Sequence, residues 1–282
     1  GVSTLQGILD RYRKSSATHR EAGTYFEELT VCYLRNEPAY RELYREVVPY
    51  ALWAEQQGLD KRDAGIDLVA ETVTHEVHAI QCKLYAPEYR VQKADIDSFF
   101  TASGKKPFTR RIIVSTTNLW SDHAEEALRE QRTPVTKIDL AQLESSVIDW
   151  SRFAPSQAPV LKPKKSLRPH QRDAQTAVLS RLANADRGRL IMACGTGKTL
   201  TSLKIAEQLA GKDKRVLFLV PSLALLSQTL SEWTQESETR LHSFAVCSDS
   251  VVGNKRKNDD DTVHTFVHEL QYPATTDAAR LA

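Results

Sequence analysis

Residues 195–199 read Gly-Thr-Gly-Lys-Thr, an order suited to holding a phosphate group. Gly195 and Gly197 let the backbone turn so that successive N–H groups can point at one anion. Lys198 supplies a positive charge, and the Thr199 hydroxyl is a ligand for the divalent cation that accompanies a nucleotide. We therefore expect an ATP-binding loop in which Gly195, Thr196, Gly197, Lys198 and Thr199 bind the phosphates and Thr199 also binds Mg²⁺. The alternative is a glycine turn without a ligand.

Asp67, Gln81 and Lys83 form a second set whose residue types fit hydrolysis. Gln81 and Lys83 lie two residues apart in a strand-like segment, so both side chains point to one face. Asp67 lies in the preceding strand-like segment, from which it can meet them across a hairpin. Asp67 would bind a metal ion, Gln81 would ligate it through its amide oxygen, and Lys83 would position or help to deprotonate water. The alternative is an ordinary solvated strand face, because short polar patterns are common.

Local patterns indicate which elements would position these residues. Residues 189–193 form an apolar run that predicts a buried parallel strand, and helical spacing begins at Thr199. The phosphate loop would then connect a strand to a helix. Residues 64–70 and 77–84 read as strands, with residues 72–75 as their hairpin connection.

Other segments alternate between helix and strand patterns, which predicts an α/β fold. Residues 18–34 place apolar side chains on one helical face, and Glu27 lies on this helix. The elements expected after the hairpin are a helix at 94–104, a strand at 111–116, a helix at 121–132 and a strand at 135–139.

Three short runs carry a family resemblance. They are Gly23, Phe26 and Glu27, then Gly65, Ile66 and Asp67, and finally Gln81, Cys82 and Lys83. The chain from about residue 18 to 150 resembles the PD-(D/E)xK nuclease superfamily, and more narrowly its Mrr-like branch. The resemblance implies a mixed sheet flanked by helices, with Glu27 completing a metal and catalytic site with Asp67, Gln81 and Lys83. Gln in place of the more usual Glu at position 81 removes a carboxylate, so we expect weaker metal affinity.

Met192 stands where the general phosphate-loop pattern has its first glycine, and Gln171 lies one helix ahead of the loop. This combination resembles superfamily 2 helicases and the motor subunits of restriction enzymes. It implies that Gln171 reads the adenine edge of ATP, within a partial RecA-like parallel α/β domain. A second parallel strand is expected at residues 215–220, and residues 272–277 resemble a further nucleic-acid element of these helicases.

Residues 154–166 contain three prolines and three lysines and little to bury, which predicts a linker. We therefore expect residues 1–153 to form the nuclease domain and residues 167–282 to form the first part of the helicase lobe. An Asp-Glu pair that holds Mg²⁺ and orients water cannot be assigned, although such motors need one. We expect it beyond residue 282, and we expect residues 1–282 alone to bind nucleotide without steady ATP hydrolysis.

Composition argues against several classes of protein. No run approaches the ~20 apolar residues of a membrane span and no hydrophobic signal segment is present, so we expect a soluble, cytoplasmic protein. Four cysteines lie far apart without a Cys-x-x-Cys pair, which argues against a zinc site or a disulfide framework. The formal net charge is +2, from 38 basic and 36 acidic residues, so any DNA-binding surface must be local.

Taken together, the two halves resemble the N-terminal part of the single-polypeptide Type I, or Type ISP, restriction-modification enzymes. This implies an ATP-dependent restriction endonuclease in which translocation on double-stranded DNA precedes cleavage. It also implies Mg²⁺ and ATP as cofactors, with S-adenosylmethionine only in a methyltransferase elsewhere in the polypeptide. Expected partners are double-stranded DNA, the second motor lobe, methyltransferase and target-recognition parts of the same polypeptide, and a second enzyme copy for double-strand cleavage.

Two other functions stay open. The chain could belong to a translocase or antiviral helicase whose nuclease domain cuts weakly, or the nuclease fold could be a DNA clamp without catalysis. The presence of Asp67 together with Lys83 argues against a clamp. Lys105, Lys106, Arg110 and Arg111 are candidate phosphate contacts, with a solvated basic surface as the alternative.

Overall fold

The computed structural model describes residues 4–62, 65–129 and 131–246. Contacts divide these residues into two compact units, one ending at Lys162 and the other beginning at Pro163. The predicted element at residues 272–277 lies outside the described residues. In the described ranges, every helix is too short or too polar to serve as a membrane span.

The first unit begins with helices and continues with alternating strands and helices. Its helices are α1 (Thr4–Ser15), α2 (His19–Asn36), α3 (Pro38–Arg41), α4 (Tyr50–Gln56), α5 (Lys93–Ser103), α6 (Asp122–Arg129) and α7 (Leu140–Glu144). Its strands are β1 (Tyr44–Pro49), β2 (Leu68–Thr72), β3 (Val77–Lys83), β4 (Arg90–Val91), β5 (Phe108–Ser115), β6 (Leu119–Trp120) and β7 (Val135–Ile138).

Five of these strands form one mixed sheet in the order β1-β2-β3-β5-β7. The pairs β1–β2 and β2–β3 are antiparallel, whereas β3–β5 and β5–β7 are parallel. Each parallel pair needs a crossover, and α5 and α6 supply the two crossovers. The mixed sheet with flanking helices confirms the predicted fold class.

Many helices and strands of the first unit follow one another as the sequence predicts. The hairpin between β2 and β3 turns at Val73 and Thr74, as the sequence predicts. Thr18 caps α2, because its hydroxyl accepts the Glu21 N–H at 3.1 Å. The core between the sheet and α5 contains fully buried Phe99 and Ile113.

Several elements of the first unit were not predicted as such. Helix α1 was not predicted, and residues 41–57 were expected only to be helical or mixed around Pro49. The structure resolves them into strand β1, which ends at Pro49, and helix α4, for which Pro49 is the N-cap residue. Proline suits both positions, because it ends a ladder and fits a helix start.

Arg111 differs from its prediction as a candidate phosphate contact. Its side chain is 3% exposed and donates to the Gln131 amide oxygen at 2.7 Å and to the Phe100 carbonyl at 3.3 Å. Phe100 lies in the last turn of α5, where a positive charge is favourable. Arg111 therefore holds a helix end instead of presenting its charge to solvent.

The second unit contains helices α8 (Pro169–Leu182), α9 (Lys198–Ala210) and α10 (Leu223–Glu236). Helix α9 packs against both α8 and α10. The structure places no β-strand at residues 189–193 or 215–220, where parallel strands were predicted. Side chains there are largely exposed, with Ile191 at 79% and Leu217 at 84%. An apolar run forms a strand only when a neighbour pairs with it, and no paired neighbour lies among the described residues.

The predicted linker, residues 154–166, forms hydrogen bonds with the first unit through its middle residues and with the second unit near its end. Val160 accepts the Asp149 N–H at 2.8 Å, and the Lys162 N–H donates to Val147 at 2.7 Å, within the first unit. In the second unit, the Lys165 N–H donates to the Glu236 carboxylate at 2.6 Å. Both ends of the segment are therefore bonded to folded structure, each to its own unit.

Candidate active sites

Asp67 lies immediately before β2, where two neighbouring segments hold its backbone. Its N–H donates to the Ile80 carbonyl at 3.0 Å, and its carbonyl accepts the Tyr50 N–H at 2.9 Å. Its carboxylate accepts the Cys82 N–H at 2.7 Å. The β2–β3 register pairs Leu68 with Ile80, so one further step places Asp67 opposite Gln81. The hairpin thus brings Asp67 to the end of β3, although the strand predicted at residues 64–70 begins only at Leu68 and leaves Asp67 just outside it.

Gln81 and Lys83 are the first and third of the last three residues of β3. Gln81 is 4% exposed, and its amide nitrogen donates to the Gly65 carbonyl at 3.3 Å. Its amide oxygen is buried and has no hydrogen-bond partner among the residues that the structure describes. Lys83 is half-buried, pairs with Ser115 of β5 and accepts the Thr116 N–H at its carbonyl at 3.1 Å. Both side chains therefore leave the middle of the sheet on one face.

Glu27 is a half-buried residue of α2, which packs against β3. The negative charge of Glu27 affects the pKa of the Cys82 thiol on β3. Desolvation raises the pKa of Cys82 well above its usual value, and the negative charges of Asp67 and Glu27 raise it further. Both carboxylates thus act electrostatically on one thiol, and the packing of α2 on β3 brings Glu27 near that strand.

These residues fit a divalent metal ion in their donor chemistry. Hard cations such as Mg²⁺ prefer oxygen ligands, and Asp67, Glu27 and Gln81 offer carboxylate and amide oxygens. A buried polar atom without a partner is rare and calls for an explanation, which a bound cation would provide for the Gln81 oxygen. No group of three His, Cys, Asp or Glu suited to a metal occurs in the described ranges, so such a site would depend on this amide.

The phosphate loop has the backbone that its glycines predict. Gly195 and Gly197 have φ angles of 75° and 80°, in the left-handed region that glycine adopts without strain. Helix α9 begins at Lys198 with Gly197 as its N-cap and no side-chain cap. Its first N–H groups are therefore available to an anion, as at other helix N-termini that bind phosphate.

Nearby groups hold the Lys198 side chain and the Thr199 backbone. The Lys198 ammonium group donates to the carbonyl oxygens of Met192 and Ala193 at 3.2 and 3.0 Å. Trp233 of α10 donates its indole N–H to the Thr199 carbonyl at 3.0 Å. The sequence did not single out Trp233, since only tertiary packing brings α10 to the first turn of α9.

Gln171 lies beside the loop and is 4% exposed. Its amide oxygen accepts the Arg168 N–H at 2.8 Å, and its nitrogen donates to the Thr196 carbonyl at 2.9 Å. A side chain at Gly197 would come within 2.2 Å of that nitrogen, which gives Gly197 a packing role as well as a conformational one. The structure brings Gln171 and the loop together, and its role in reading adenine stays a prediction.

Comparisons with known proteins divide the chain in a similar way. A family model described as a restriction endonuclease, Mrr_cat_2, matches residues 35–160. A model described as the Type III restriction enzyme res subunit, ResIII, matches residues 164–278. None of the curated proteins matches the chain. The fold and these matches define a nuclease enzyme domain of the restriction-endonuclease class, followed by a helicase-like domain.

One solved structure indicates the kind of enzyme in which this combination occurs. The chain matches the ATP-dependent Type ISP restriction-modification enzyme LlaBIII bound to DNA, with 35% identity and a TM-score of 0.73. That match covers 97% of this chain and 17% of LlaBIII. A nuclease-deletion mutant of the Type ISP enzyme LlaGI in complex with a DNA substrate mimic matches 30% of this chain and 8% of its own, with 49% identity and a TM-score of 0.28.

The predicted resemblance to Type ISP restriction-modification enzymes is thereby confirmed over nearly the whole chain. The chain spans 17% of the length of LlaBIII. The two matched domains imply a divalent metal ion for the nuclease and ATP for the helicase-like domain.

Proposed function

We propose that this chain is part of an ATP-dependent restriction endonuclease that hydrolyses phosphodiester bonds of double-stranded DNA. Cleavage by the first unit would be driven or gated by ATP-fuelled translocation, in which the second unit takes part. The observation that carries the proposal is the convergence of Asp67, Gln81 and Lys83 at adjacent strand ends, with a buried and unpartnered amide oxygen among the described residues. The matched enzyme LlaBIII is ATP-dependent and was solved bound to DNA, which supports the same activity here.

In the nuclease site, Asp67, Glu27 and the Gln81 amide oxygen would hold Mg²⁺. When bound, the cation supplies positive charge to the phosphate group and makes a bound water more acidic. Lys83 lies on the same face as Gln81, from which its ammonium group would orient the attacking water. The attacking water oxygen forms a new bond to phosphorus and loses a proton, while one P–O bond of the DNA breaks and its leaving oxygen takes up a proton.

In the helicase-like domain, the N–H groups of residues 195–199 would bind the phosphates of ATP. Lys198 would exchange its contacts with Met192 and Ala193 for the terminal phosphates, since a charged acceptor forms a stronger hydrogen bond than a carbonyl group. Thr199 would ligate Mg²⁺, and Gln171 would contact adenine.

Further parts of the proposal follow from the Type ISP resemblance. The remaining polypeptide would supply the second motor lobe, a methyltransferase that uses S-adenosylmethionine and a target-recognition domain. A second enzyme copy would contribute to double-strand cleavage. We assign residues 1–153 to the nuclease domain, 154–166 to the linker and 167–282 to the helicase lobe, and we place the protein in the cytoplasm.

The decisive experiment compares two lysine substitutions in the full-length protein. Lys83→Ala should retain DNA-dependent ATP hydrolysis and lose DNA cleavage by at least ~100-fold, since it removes only a group at the cleavage site. Lys198→Ala should lose ATP hydrolysis, translocation and cleavage together. ATP turnover, triplex displacement and cleavage of plasmid DNA are the measurements.

Lys93→Ala and Lys212→Ala serve as matched controls, because both lysines are exposed and lie outside the two sites. Both controls should behave like the wild-type protein. Undiminished cleavage by Lys83→Ala would reject the assignment of this site. Absent cleavage by the wild-type protein, with normal translocation, would favour a translocase.

A further inference from the structure

The Gln81 amide is held at one end only. Its nitrogen donates to the Gly65 carbonyl at 3.3 Å, and its oxygen has no partner within the described part of the chain, although the residue is 4% exposed. A buried polar atom left without a partner costs about 1–3 kcal/mol. Each such atom in a native protein calls for an explanation, and a bound cation is one.

Gly65 can hold that nitrogen because its own position is closely constrained. Its φ angle is +84°, in a region that other residues rarely adopt, and an added Cβ would lie 3.3 Å from the backbone carbon and oxygen of Ser98 in α5. Two residues later, the Asp67 N–H is bonded to Ile80 of β3. The Gly65 carbonyl is therefore fixed between α5 and the strand that carries Gln81.

The Gly65 carbonyl distinguishes between the two ends of an amide. A carbonyl oxygen only accepts hydrogen bonds, so it binds the NH₂ group of Gln81 and turns the amide oxygen away from itself. A carboxylate in the same place has no N–H to donate and would put an oxygen next to the Gly65 oxygen. It would also add a negative charge beside Asp67.

We propose that Gly65 is a positioning residue that selects an amide at position 81 and orients the Gln81 oxygen as the metal ligand. The inference rests on the proposed metal site of Asp67 and Gln81 and explains why a neutral amide suits position 81. The glycine is required twice, for its backbone conformation and for its close approach to α5.

The first test measures Mg²⁺ binding to the full-length protein by calorimetry, without DNA or nucleotide. Gly65→Ala should weaken binding by about tenfold or more, as loss of a residue that orients a metal ligand does in other proteins. Gly58→Ala is the matched control, because Gly58 also has a positive φ, of +67°, but an added Cβ meets nothing within 4 Å. Gly58→Ala should keep the wild-type affinity. Wild-type affinity in a folded Gly65→Ala protein would overturn the proposal.

The second test leaves Gly65 in place, in case its substitution prevents folding. Gln81→Glu should lower the melting temperature in EDTA, because the new carboxylate faces the Gly65 carbonyl and Asp67. Saturating Mg²⁺ should raise the melting temperature of Gln81→Glu by more than that of the wild type. A Gln81→Glu protein as stable as the wild type in EDTA would overturn the selection of an amide.

Asp67→Ala distinguishes failure of this inference from failure of the proposed function. If Asp67→Ala abolishes Mg²⁺ binding while Gly65→Ala does not change it, the metal site stands and Gly65 has no part in it. If Asp67→Ala binds Mg²⁺ like the wild type, the metal site itself is wrongly placed, and the inference falls with it.

Discussion

Gln81 and Gln171 show that the surroundings of a glutamine determine which hydrogen bonds its side-chain amide makes. Gln81 and Gln171 are each 4% exposed. Both ends of the Gln171 amide are bonded to protein, since its oxygen accepts from Arg168 and its nitrogen donates to Thr196. Only the nitrogen of Gln81 is bonded within the described residues. Burial alone therefore does not indicate a metal ligand, whereas the buried oxygen that Gln81 presents beside Asp67 suits one.

Cys194 provides a reporter of nucleotide binding at the scale of a residue. It is exposed and directly precedes Gly195, whereas Cys32 is half-buried on α2. ATP at ten times its dissociation constant should slow alkylation of Cys194 by about tenfold, because only the unoccupied fraction reacts. Mass spectrometry of alkylated peptides measures both rates, and alkylation of Cys32 should not change. Lys198→Ala should remove the protection, and equal Cys194 rates with and without ATP would contradict an ATP site here.

At the scale of elements, Glu207 joins the end of α9 to the segment after α10. Its carboxylate accepts from the Ser237 hydroxyl at 2.8 Å and from the Glu238 N–H at 2.6 Å, and it pairs with Lys204 at 3.0 Å. Burial by itself would raise the pKa of Glu207, but the hydrogen bonds from Lys204 and Ser237 outweigh it and lower the pKa below 4.5. The ionised form is therefore the one that stabilises the fold.

The lowered pKa determines how Glu207 affects stability with pH. Its contribution is complete above pH 4.5 and disappears as the pH falls through the lower pKa of the folded state. Glu207→Gln should therefore destabilise the second unit by about 1–2 kcal/mol at pH 7. The difference from wild type should shrink in more acidic solution. Urea unfolding between pH 3 and 7 tests this, with the exposed Glu126→Gln as the control. A difference that grows in acid would contradict the assignment.

At the scale of the molecule, the end of the first unit is defined by its hydrogen bonds. Leu161 forms a β-bridge with Ile148, and Lys162 bonds to Val147 and Ser146 at 2.7 and 2.8 Å. The sequence placed the start of a linker at residue 154 on composition, because prolines and lysines indicate an extended segment. Composition does not reveal that an extended segment can pair with a folded neighbour.

These bonds predict how truncation changes stability. A protein of residues 1–153 should be about 2–3 kcal/mol less stable than one of residues 1–162, because it lacks the bonds made by Val160 and Lys162. Extension to residue 166 should add nothing, since Lys165 bonds within the second unit. Urea unfolding of the three proteins measures the differences. Equal stability of 1–153 and 1–162 would show that these bonds make no contribution.

The agreement between sequence and structure depends on how local each pattern is. The β2–β3 hairpin, α5, β5, α6 and β7 were all predicted, because each has its own periodicity and its own turn or cap. The sequence did not predict strand β1, since pairing with β2 determines its conformation. The strands expected around Ile191 and Leu217 are missing from the described structure, because an apolar run alone does not supply a pairing partner.

The sequence by itself determined the class of protein, the phosphate loop and the residue types of the candidate nuclease site. The class of protein follows from the family resemblance of the motifs, whereas the loop and the site follow from residue type and spacing, since a glycine turn and strand alternation act over a few residues. The tertiary structure alone decided that Gly65 holds one end of the Gln81 amide, that Arg111 is buried and that Trp233 bonds to Thr199. Each of these contacts joins segments distant in the chain, and only the packing of the folded elements brings their polar groups within bonding distance.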